Sequence, residues 1–157
     1  MIYGSRNSNN ENITSQCTEF VTVWNLANWG YADQIFFNVA TTGNVNFTWE
    51  ELSPGNASGS GSFSSSVAII SGLPANALIR LRIAPENLNA VYFEGGNFQL
   101  MDIEQWGTAE WTDLLFSSCY SLNISATDLP DLNGVSDLGY LFYGCQALNG
   151  PQNKPRK

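Results

Sequence analysis

The chain has 157 residues, of which 43% are hydrophobic and 13% aromatic, so it can bury a core and is not disordered as a whole. Only 13% of the residues are charged, and between positions 7 and 153 Arg80 and Arg82 alone oppose all 14 carboxylates. Such a chain repels nucleic acid and anionic membrane surfaces. The sequence has no histidine, which removes the commonest general base and the usual Ser–His and Cys–His pairs, so we predict a protein that is not an enzyme.

Residues 1–18 are rich in Asn, Ser and Gln and lack the apolar stretch of a signal peptide, so we predict a flexible polar lead-in. From position 19, short runs of β-branched and aromatic residues are separated by Gly, Pro, Asn and Ser. This pattern predicts strands at residues 20–24, 34–39, 44–50, 66–70, 77–83 and 89–93. The stretch 53–61 consists largely of small and turn-forming residues and is predicted to be a loop. No apolar run is long enough to cross a bilayer, so we predict no membrane insertion.

Short strands at regular spacing, with no helical pattern between them, predict a mainly β fold. In residues 44–50, the side chains of Val45, Phe47 and Trp49 share one face, and in residues 77–83 the two arginines point away from an apolar face. Residues 19–97 have the size of a small immunoglobulin-like antiparallel sandwich. The rival interpretation is an open sheet packed directly on the segment that follows.

Two aromatic residues, Trp29 and Tyr31, lie in a loop-like segment between the first two predicted strands. Aromatic side chains on loops with flanking amides are typical of a rim that binds a sugar or a peptide. The alternative, and the more common outcome, is that one ring folds back to plug the core. We name both residues as candidate ligand-binding residues.

A repeat occupies the last third of the chain. Residues 115–123 and 141–149 share Leu, Phe, Cys, Leu and Asn at the same five positions, at an offset of 26. A period of 20–29 residues with fixed Leu and Asn positions is typical of leucine-rich repeats. In this interpretation Leu115, Phe116 and Leu122 point inward, and residues 113–119 and 137–145 form short helical turns.

This repeat resembles the BspA-type leucine-rich repeats of bacterial surface proteins, a family of 26-residue surface-protein repeats. The resemblance is carried by the Ile-Glu-Gln-Trp-Gly stretch at 103–107, by Trp111 and Thr112, by the two Phe-x-x-Cys-x-x-Leu-Asn units and by the stretch 126–132 between them. A looser resemblance to a PKD-like domain covers residues 19–97, in which Trp49 is the only residue of the Trp-Gly-Asp-Gly motif. The resemblance implies a leucine-rich-repeat segment of about two units over 98–150, after the sandwich that the strand pattern predicts over 19–97. It also implies a secreted or surface location and a role in adhesion or recognition. Residues 151–157 contain three basic residues and are predicted to be a flexible basic tail.

Cys119 and Cys145 hold equivalent positions in the two repeat units. Neighbouring coils should lie about 5 Å apart, which is within disulfide range, so a disulfide between them is one interpretation. Stacked buried thiols are the more usual arrangement at a small apolar repeat position. Cys17 lies in the polar lead-in and is predicted to be free.

Oxygen-bearing side chains are concentrated in a ten-residue stretch at Asp128, Asp131, Asn133 and Asp137. Calcium prefers such ligands, so a calcium site is a hypothesis here, although the spacing is not that of an EF-hand loop. Asp and Asn are also common in turns for local backbone reasons. No other cofactor is predicted.

The leading functional hypothesis is a non-enzymatic, extracellular or cell-surface binding or adhesion module that contacts a protein or glycan ligand. One alternative is a carbohydrate-recognition accessory domain of a secreted enzyme, for which specific sugar binding through Trp29 and Tyr31 would be the sign. Another is a structural spacer of a fibre or virion. A short repeat segment leaves an apolar end uncovered, so self-association through that end is also a prediction.

Overall fold

The computed structural model describes residues 18–148, in which ten strands form two β-sheets around a shared apolar core. The predicted lead-in, the basic tail and Cys17 therefore lie outside the described residues, apart from Thr18. The strands are β1 (Phe20–Asn25), β2 (Ile35–Thr41), β3 (Val45–Ser53), β4 (Ser58–Phe63), β5 (Val67–Ile70), β6 (Leu78–Ile83), β7 (Leu88–Phe93), β8 (Leu100–Gln105), β9 (Asp113–Phe116) and β10 (Asn123–Ile124). The prediction of a mainly β sandwich is confirmed.

The six-stranded sheet has the order β10-β8-β1-β6-β3-β4, and the four-stranded sheet has the order β5-β2-β7-β9. Neighbouring strands run antiparallel except for two pairs, β7 with β9 and β8 with β10, which are parallel. All six predicted strands are present. As predicted, β6 buries Ile79, Leu81 and Ile83 and turns Arg80 and Arg82 toward the outside.

The prediction of a loop over residues 53–61 is wrong for its second half, because Ser58–Phe63 is strand β4 and pairs with β3 along its whole length. Side-chain size explains the pairing. Gly59 lies opposite Trp49, and a Cβ atom on Gly59 would come within 2.7 Å of the indole ring. The glycine that resembles a loop residue in the sequence instead makes room for an aromatic ring across the strand pair.

The predicted boundary at position 97 does not divide the sheets, because each sheet contains strands from before and after it. β8 pairs with β1 and β9 pairs with β7, and the rings of Trp106 and Trp111 pack on Phe20 at centroid distances of 5.9 and 5.2 Å. Both tryptophans are buried, so the apolar core continues without a break from the first strand into the repeat segment.

Residues 113–119 do not form the predicted helical turn, because Asp113–Phe116 is strand β9. Leu114 and Phe116 are buried while Leu115 faces outward and is half-buried, which is the two-residue alternation of a strand. The prediction that Leu115 points inward is therefore wrong. Residues 138–148 form successive turns closed by hydrogen bonds between residues three apart, and residues 18–148 contain no α-helix.

Three consecutive segments of the chain lie side by side in parallel, and we call them the three layers: residues 88–105, 113–124 and 138–148. The first two layers are joined by the β7–β9 and β8–β10 pairs and by a parallel bridge between Asn97 and Cys119. The third joins the second through backbone hydrogen bonds from Phe116 to Leu141, at 2.8 Å, and from Ser118 to Tyr143, at 2.6 Å.

A phenylalanine from each layer forms a continuous stack inside the molecule. The rings of Phe93 and Phe116 have centroids 5.2 Å apart, and those of Phe116 and Phe142 have centroids 5.6 Å apart, with interplanar angles of 16° and 23°. Such near-parallel ring pairs add to the stability that burial alone provides. The stack therefore ties the repeat segment to the sandwich.

Candidate functional site

A cleft of about 450 Å³ opens beside the four-stranded sheet, between the loop that follows β1 and the turn that joins β7 to β8. We call it the aromatic cleft. It is lined by Trp29, Gly30, Tyr31, Phe36, Phe37, Asn38, Tyr92, Phe93, Glu94, Gly96, Asn97, Phe98 and Gln99. Its size falls within the range of about 300–1,000 Å³ that is usual for small-ligand sites.

Both candidate ligand-binding residues line this cleft. Trp29 is 80% exposed and Tyr31 is 60% exposed, so neither ring plugs the core, and the core-plug alternative is wrong for both. Phe36 and Phe98 also present exposed rings to the same space. Four exposed aromatic side chains around one concave surface are unusual, because aromatic rings ordinarily contribute to the core.

The loop that carries Trp29 and Tyr31 is held in place by Gln99. This buried side chain donates hydrogen bonds from Nε2 to the carbonyl oxygens of Tyr31, at 2.7 Å, and Asn28, at 3.3 Å. Gly30 has φ +147° and lies against the amide group of Gln99, where a Cβ atom would come within 2.5 Å of Cδ. Asn28 in turn donates to the carbonyl oxygen of Phe98 at 2.8 Å. The exposed rings therefore stand on a loop whose backbone is fixed.

On the other wall of the cleft, Asn97 organises the turn before β8. Its Oδ1 accepts hydrogen bonds from the backbone N–H groups of Gln99, at 2.9 Å, and Leu100, at 2.8 Å. The ring of Phe98 meets Trp29 edge to face at a centroid distance of 5.9 Å and lies 4.7 Å from Tyr120. The aromatic surface thus continues from the loop onto the second of the three layers.

The floor of the cleft belongs to the core. Phe37 and Phe93 are buried and stack with centroids 5.3 Å apart. Tyr92 lies beside them and hydrogen-bonds to Asp113; burial, the charge of Asp113 and this hydrogen bond raise the pKa of the phenol. Glu94 is the only carboxylate in the described lining, which holds no Lys or Arg. The cleft is consequently mildly acidic.

Sequence reasoning found Trp29 and Tyr31 but missed Phe36, Phe98 and Gln99. A signal existed for Phe36, because adjacent residues on a strand face opposite sides, so if Phe37 is buried Phe36 must face outward. No comparable signal marked Phe98 or Gln99. They reach the cleft only because β8 pairs with β1 and brings the turn before it next to the 28–31 loop.

Three of the four predicted calcium ligands, Asp128, Asp131 and Asp137, accept hydrogen bonds from backbone N–H groups. Asp128 accepts hydrogen bonds from the N–H groups of Trp106 and Gly107 at 3.1 and 2.8 Å, and Asp131 and Asp137 each accept one from the residue two positions on. Residues 18–148 contain no group of three or more His, Cys, Asp or Glu side chains that could hold a metal ion. The calcium hypothesis is therefore not supported, and the turn interpretation of Asp131, Asn133 and Asp137 accounts for the pattern.

Cys119 and Cys145 are neighbours, but both are free thiols rather than the two halves of a disulfide. Cys119 is buried, and the hydrogen bond with the Cys145 thiol together with that burial raises its pKa. The sulfur of Cys145 also lies 2.8 Å from the carbonyl oxygen of Phe116, to which it donates. The pair fills a small space between the second and third layers.

The outer face of the six-stranded sheet carries the two arginines of the described residues, and both are paired. Arg80 binds Glu104 through two hydrogen bonds of 2.6 and 3.0 Å and binds Glu50 at 2.9 Å, while Arg82 reaches Glu50 at 3.3 Å. These bonds raise the pKa of Arg80, chiefly through Glu104, and the bond from Arg80 lowers the pKa of Glu50. This cluster therefore stabilises the sheet and does not present unpaired positive charge.

Residues 18–148 contain no helix that is long and apolar enough to cross a membrane. Comparison of the chain with protein-family models, with curated proteins and with solved structures finds no match in any of the three. The geometry of the aromatic cleft is therefore the feature of the molecule that bears on its function.

Proposed function

We propose that this chain is a non-enzymatic binding module that works outside the cell or at its surface and contacts its ligand through the aromatic cleft. The observation that carries the proposal is the exposure of Trp29 and Tyr31 on a loop fixed from below by Gln99. Most of the surface of both rings is free to be buried against a ligand, and rigid aromatic side chains are the residues that contribute most to recognition when they are buried in this way. A fixed loop reduces the costs of association, because little motion is left to lose when the ligand binds.

We also propose that residues 98–148 are a short stack related to the BspA-type leucine-rich repeats, built onto an immunoglobulin- or PKD-like sandwich. The parallel pairing of the three layers supports this relationship, as does the stack of Phe93, Phe116 and Phe142. Repeat proteins bury their apolar faces between neighbouring units in this manner. A surface or secreted location and a role in adhesion follow from that relationship.

A panel of immobilised targets tests the binding function. The protein is fluorescently labelled and applied to printed glycans and to collagen, fibronectin and laminin, alongside a Trp29→Ala/Tyr31→Ala variant. A matched control is Tyr140→Ala/Tyr143→Ala, which removes two equally exposed aromatic rings elsewhere. We expect binding to at least one target that falls about ten-fold or more in the cleft variant and persists in the control. Absence of any binding, or equal binding by both variants, contradicts the proposal.

A further inference from the structure

The shape of the aromatic cleft favours a small ring-shaped ligand. The planes of Trp29 and Phe98 meet at 85°, so two aromatic surfaces form an angled wall above a floor of buried rings. An aromatic face carries partial negative charge and attracts polarised C–H groups. A pyranose ring presents such C–H groups on its apolar faces and hydroxyl groups at its rim, so it can stack on this wall while its hydroxyl groups remain free to form hydrogen bonds.

The polar groups of the cleft match hydroxyl groups. An amide group both donates and accepts, and a carboxylate accepts from two hydroxyls at once. Because Oδ1 of Asn97 is bonded to the backbone N–H groups of Gln99 and Leu100, the amide nitrogen is the end of Asn97 that can donate to a ligand. Asn38 and Glu94 lie in the same lining.

Charge excludes acidic ligands. The described lining has Glu94 and no Lys or Arg, and both arginines of residues 18–148 are bonded to glutamates on the other sheet. Sialylated or sulfated glycans, phosphate groups and acidic peptides would bring negative charge against a described lining that holds a carboxylate and no cation to receive them.

Strand topology disfavours an extended peptide. Peptides bind sheets most readily by pairing with an exposed strand edge. The strands that line the cleft, β2 and β7, are both interior strands: β2 lies between β5 and β7, and β7 lies between β2 and β9. β2 pairs with β5 over residues 35–38 and with β7 over residues 38–41, and β7 also pairs with β9 over residues 90–93, so neither strand is a sheet edge that a peptide could extend.

We propose, resting on the binding function above, that the aromatic cleft is a site for the uncharged pyranose units of a glycan. Trp29 and Phe98 stack against the sugar rings, and Asn97 and Glu94 bind the hydroxyl groups. The ligand class is therefore a neutral hexose oligosaccharide, and recognition depends on stacking and hydrogen bonds and not on ion pairs.

A glycan array of neutral, sialylated and sulfated oligosaccharides tests the proposal with the full chain. We expect the strongest signals on neutral oligosaccharides. The oligosaccharide with the strongest signal is then titrated into the protein by calorimetry to measure its Kd. Trp29→Ala should weaken this binding about ten-fold or more, while Trp29→Phe should restore part of it. Salt screens ion pairs, and the proposed contacts include none. Raising the salt concentration from 50 to 500 mM should therefore alter the Kd by less than about two-fold.

Three results would overturn the glycan assignment. Signals confined to sialylated or sulfated glycans would do so, as would a Kd that rises steeply with salt, since that dependence is the sign of a ligand bound through ion pairs. Binding to a protein target that requires Trp29 and survives enzymatic removal of its glycans would keep the binding function and overturn only the ligand class. If no target is bound in a way that requires Trp29, both the binding function and the glycan assignment are overturned.

Discussion

The side-chain amide of Gln99 donates to the carbonyl oxygen of Tyr31 at 2.7 Å, across 68 positions of the sequence. This bond joins the turn before β8 to the loop after β1, and it fixes the loop that carries both exposed aromatic rings.

The first prediction concerns this bond. Gln99→Ala should cost about 1–3 kcal/mol of unfolding free energy, because it removes two part-buried hydrogen bonds and empties the space that the buried Gln99 side chain fills. Gln105→Ala is the matched control, since Gln105 also donates to a backbone carbonyl, that of Glu19, at 2.8 Å. Both variants should lose stability in urea titrations, but amide hydrogen exchange in residues 27–33 should accelerate only in Gln99→Ala. Equal exchange in the two variants would show that Gln99 does not hold the loop.

The second prediction concerns Gly30, where crowding and backbone strain act together. Gly30→Ala and Gly72→Ala both place a side chain at positive φ, with φ of +147° and +73°. A Cβ atom meets Gln99 within 2.5 Å at Gly30 and meets nothing within 4 Å at Gly72. Gly72→Ala should therefore cost about 1 kcal/mol and Gly30→Ala about 2–4 kcal/mol by chemical denaturation. Equal losses would mean that the loop shifts without cost.

The third prediction tests the phenylalanine stack. Phe116 is fully buried between Phe93 and Phe142, so Phe116→Ala should cost about 3–5 kcal/mol. Phe142 is only half-buried, and Phe142→Ala should cost less. Leu129, which is 86% exposed, provides the control, and Leu129→Ala should stay within about 0.5 kcal/mol of the wild type. A Phe116→Ala loss as small as that of Leu129→Ala would show that the layers do not depend on the stack.

The fourth prediction is a pH dependence at Glu50. Its pKa in the folded protein is lowered below 4.5, first by the hydrogen bond from Arg80, so its contribution to stability is present above 4.5 and is lost as the pH falls through the folded value. Glu50→Gln should therefore destabilise the protein at pH 7, by no more than about 1 kcal/mol because the group is partly exposed, and should have little effect near pH 3. Glu110→Gln, at an exposed position, is the control in thermal melts at both pH values. A loss that is equal at pH 7 and pH 3 would contradict the ion-pair origin.

The fifth prediction concerns thiol reactivity. The hydrogen bond to Cys145 and burial raise the pKa of Cys119, so little thiolate is present at neutral pH. In a Cys17→Ser background, iodoacetamide at pH 7.5 should leave Cys119 unmodified in the native protein and alkylate it after unfolding in urea. Peptide mass spectrometry measures both. Rapid native alkylation of Cys119 would show that the third layer opens readily.

Strands could be predicted from the sequence where their own residues have the pattern of a buried strand. They could not be predicted where the structure of a segment depends on residues far away in the sequence. All six predicted strands are present: β2, β3 and β6 alternate along their buried parts, while β1 is a continuous run of β-branched and aromatic residues that is buried on both faces. β4 was missed because its glycines make room for a ring on another strand. The 26-residue repeat predicts a helical turn at residues 113–116, and the three consecutive apolar residues 114–116 show no alternation in the sequence that would indicate strand β9. The repeat is recognisable in the sequence by its constant offset of 26 residues, which separates Phe116 from Phe142. Phe93 and Phe116 are only 23 positions apart, so the sequence does not show residues 88–105 as a layer of the same stack.

The candidate site divides in the same way. Trp29 and Tyr31 could be found locally, as aromatic residues on a loop between strands. The exposure of the two rings could not be predicted from the sequence, because it depends on Gln99, which fills the space beneath the loop. Phe98 joins the cleft through the pairing of β8 with β1, which no local pattern encodes.

Because the layers are stacked in parallel, the length of the molecule can change independently of the aromatic cleft. The aromatic cleft is built from the loop after β1, from β2 and from the first layer alone, whereas the second and third layers are added on the far side of β7 and β8. Duplication or loss of the third layer would therefore lengthen or shorten the molecule without removing any residue of the cleft lining.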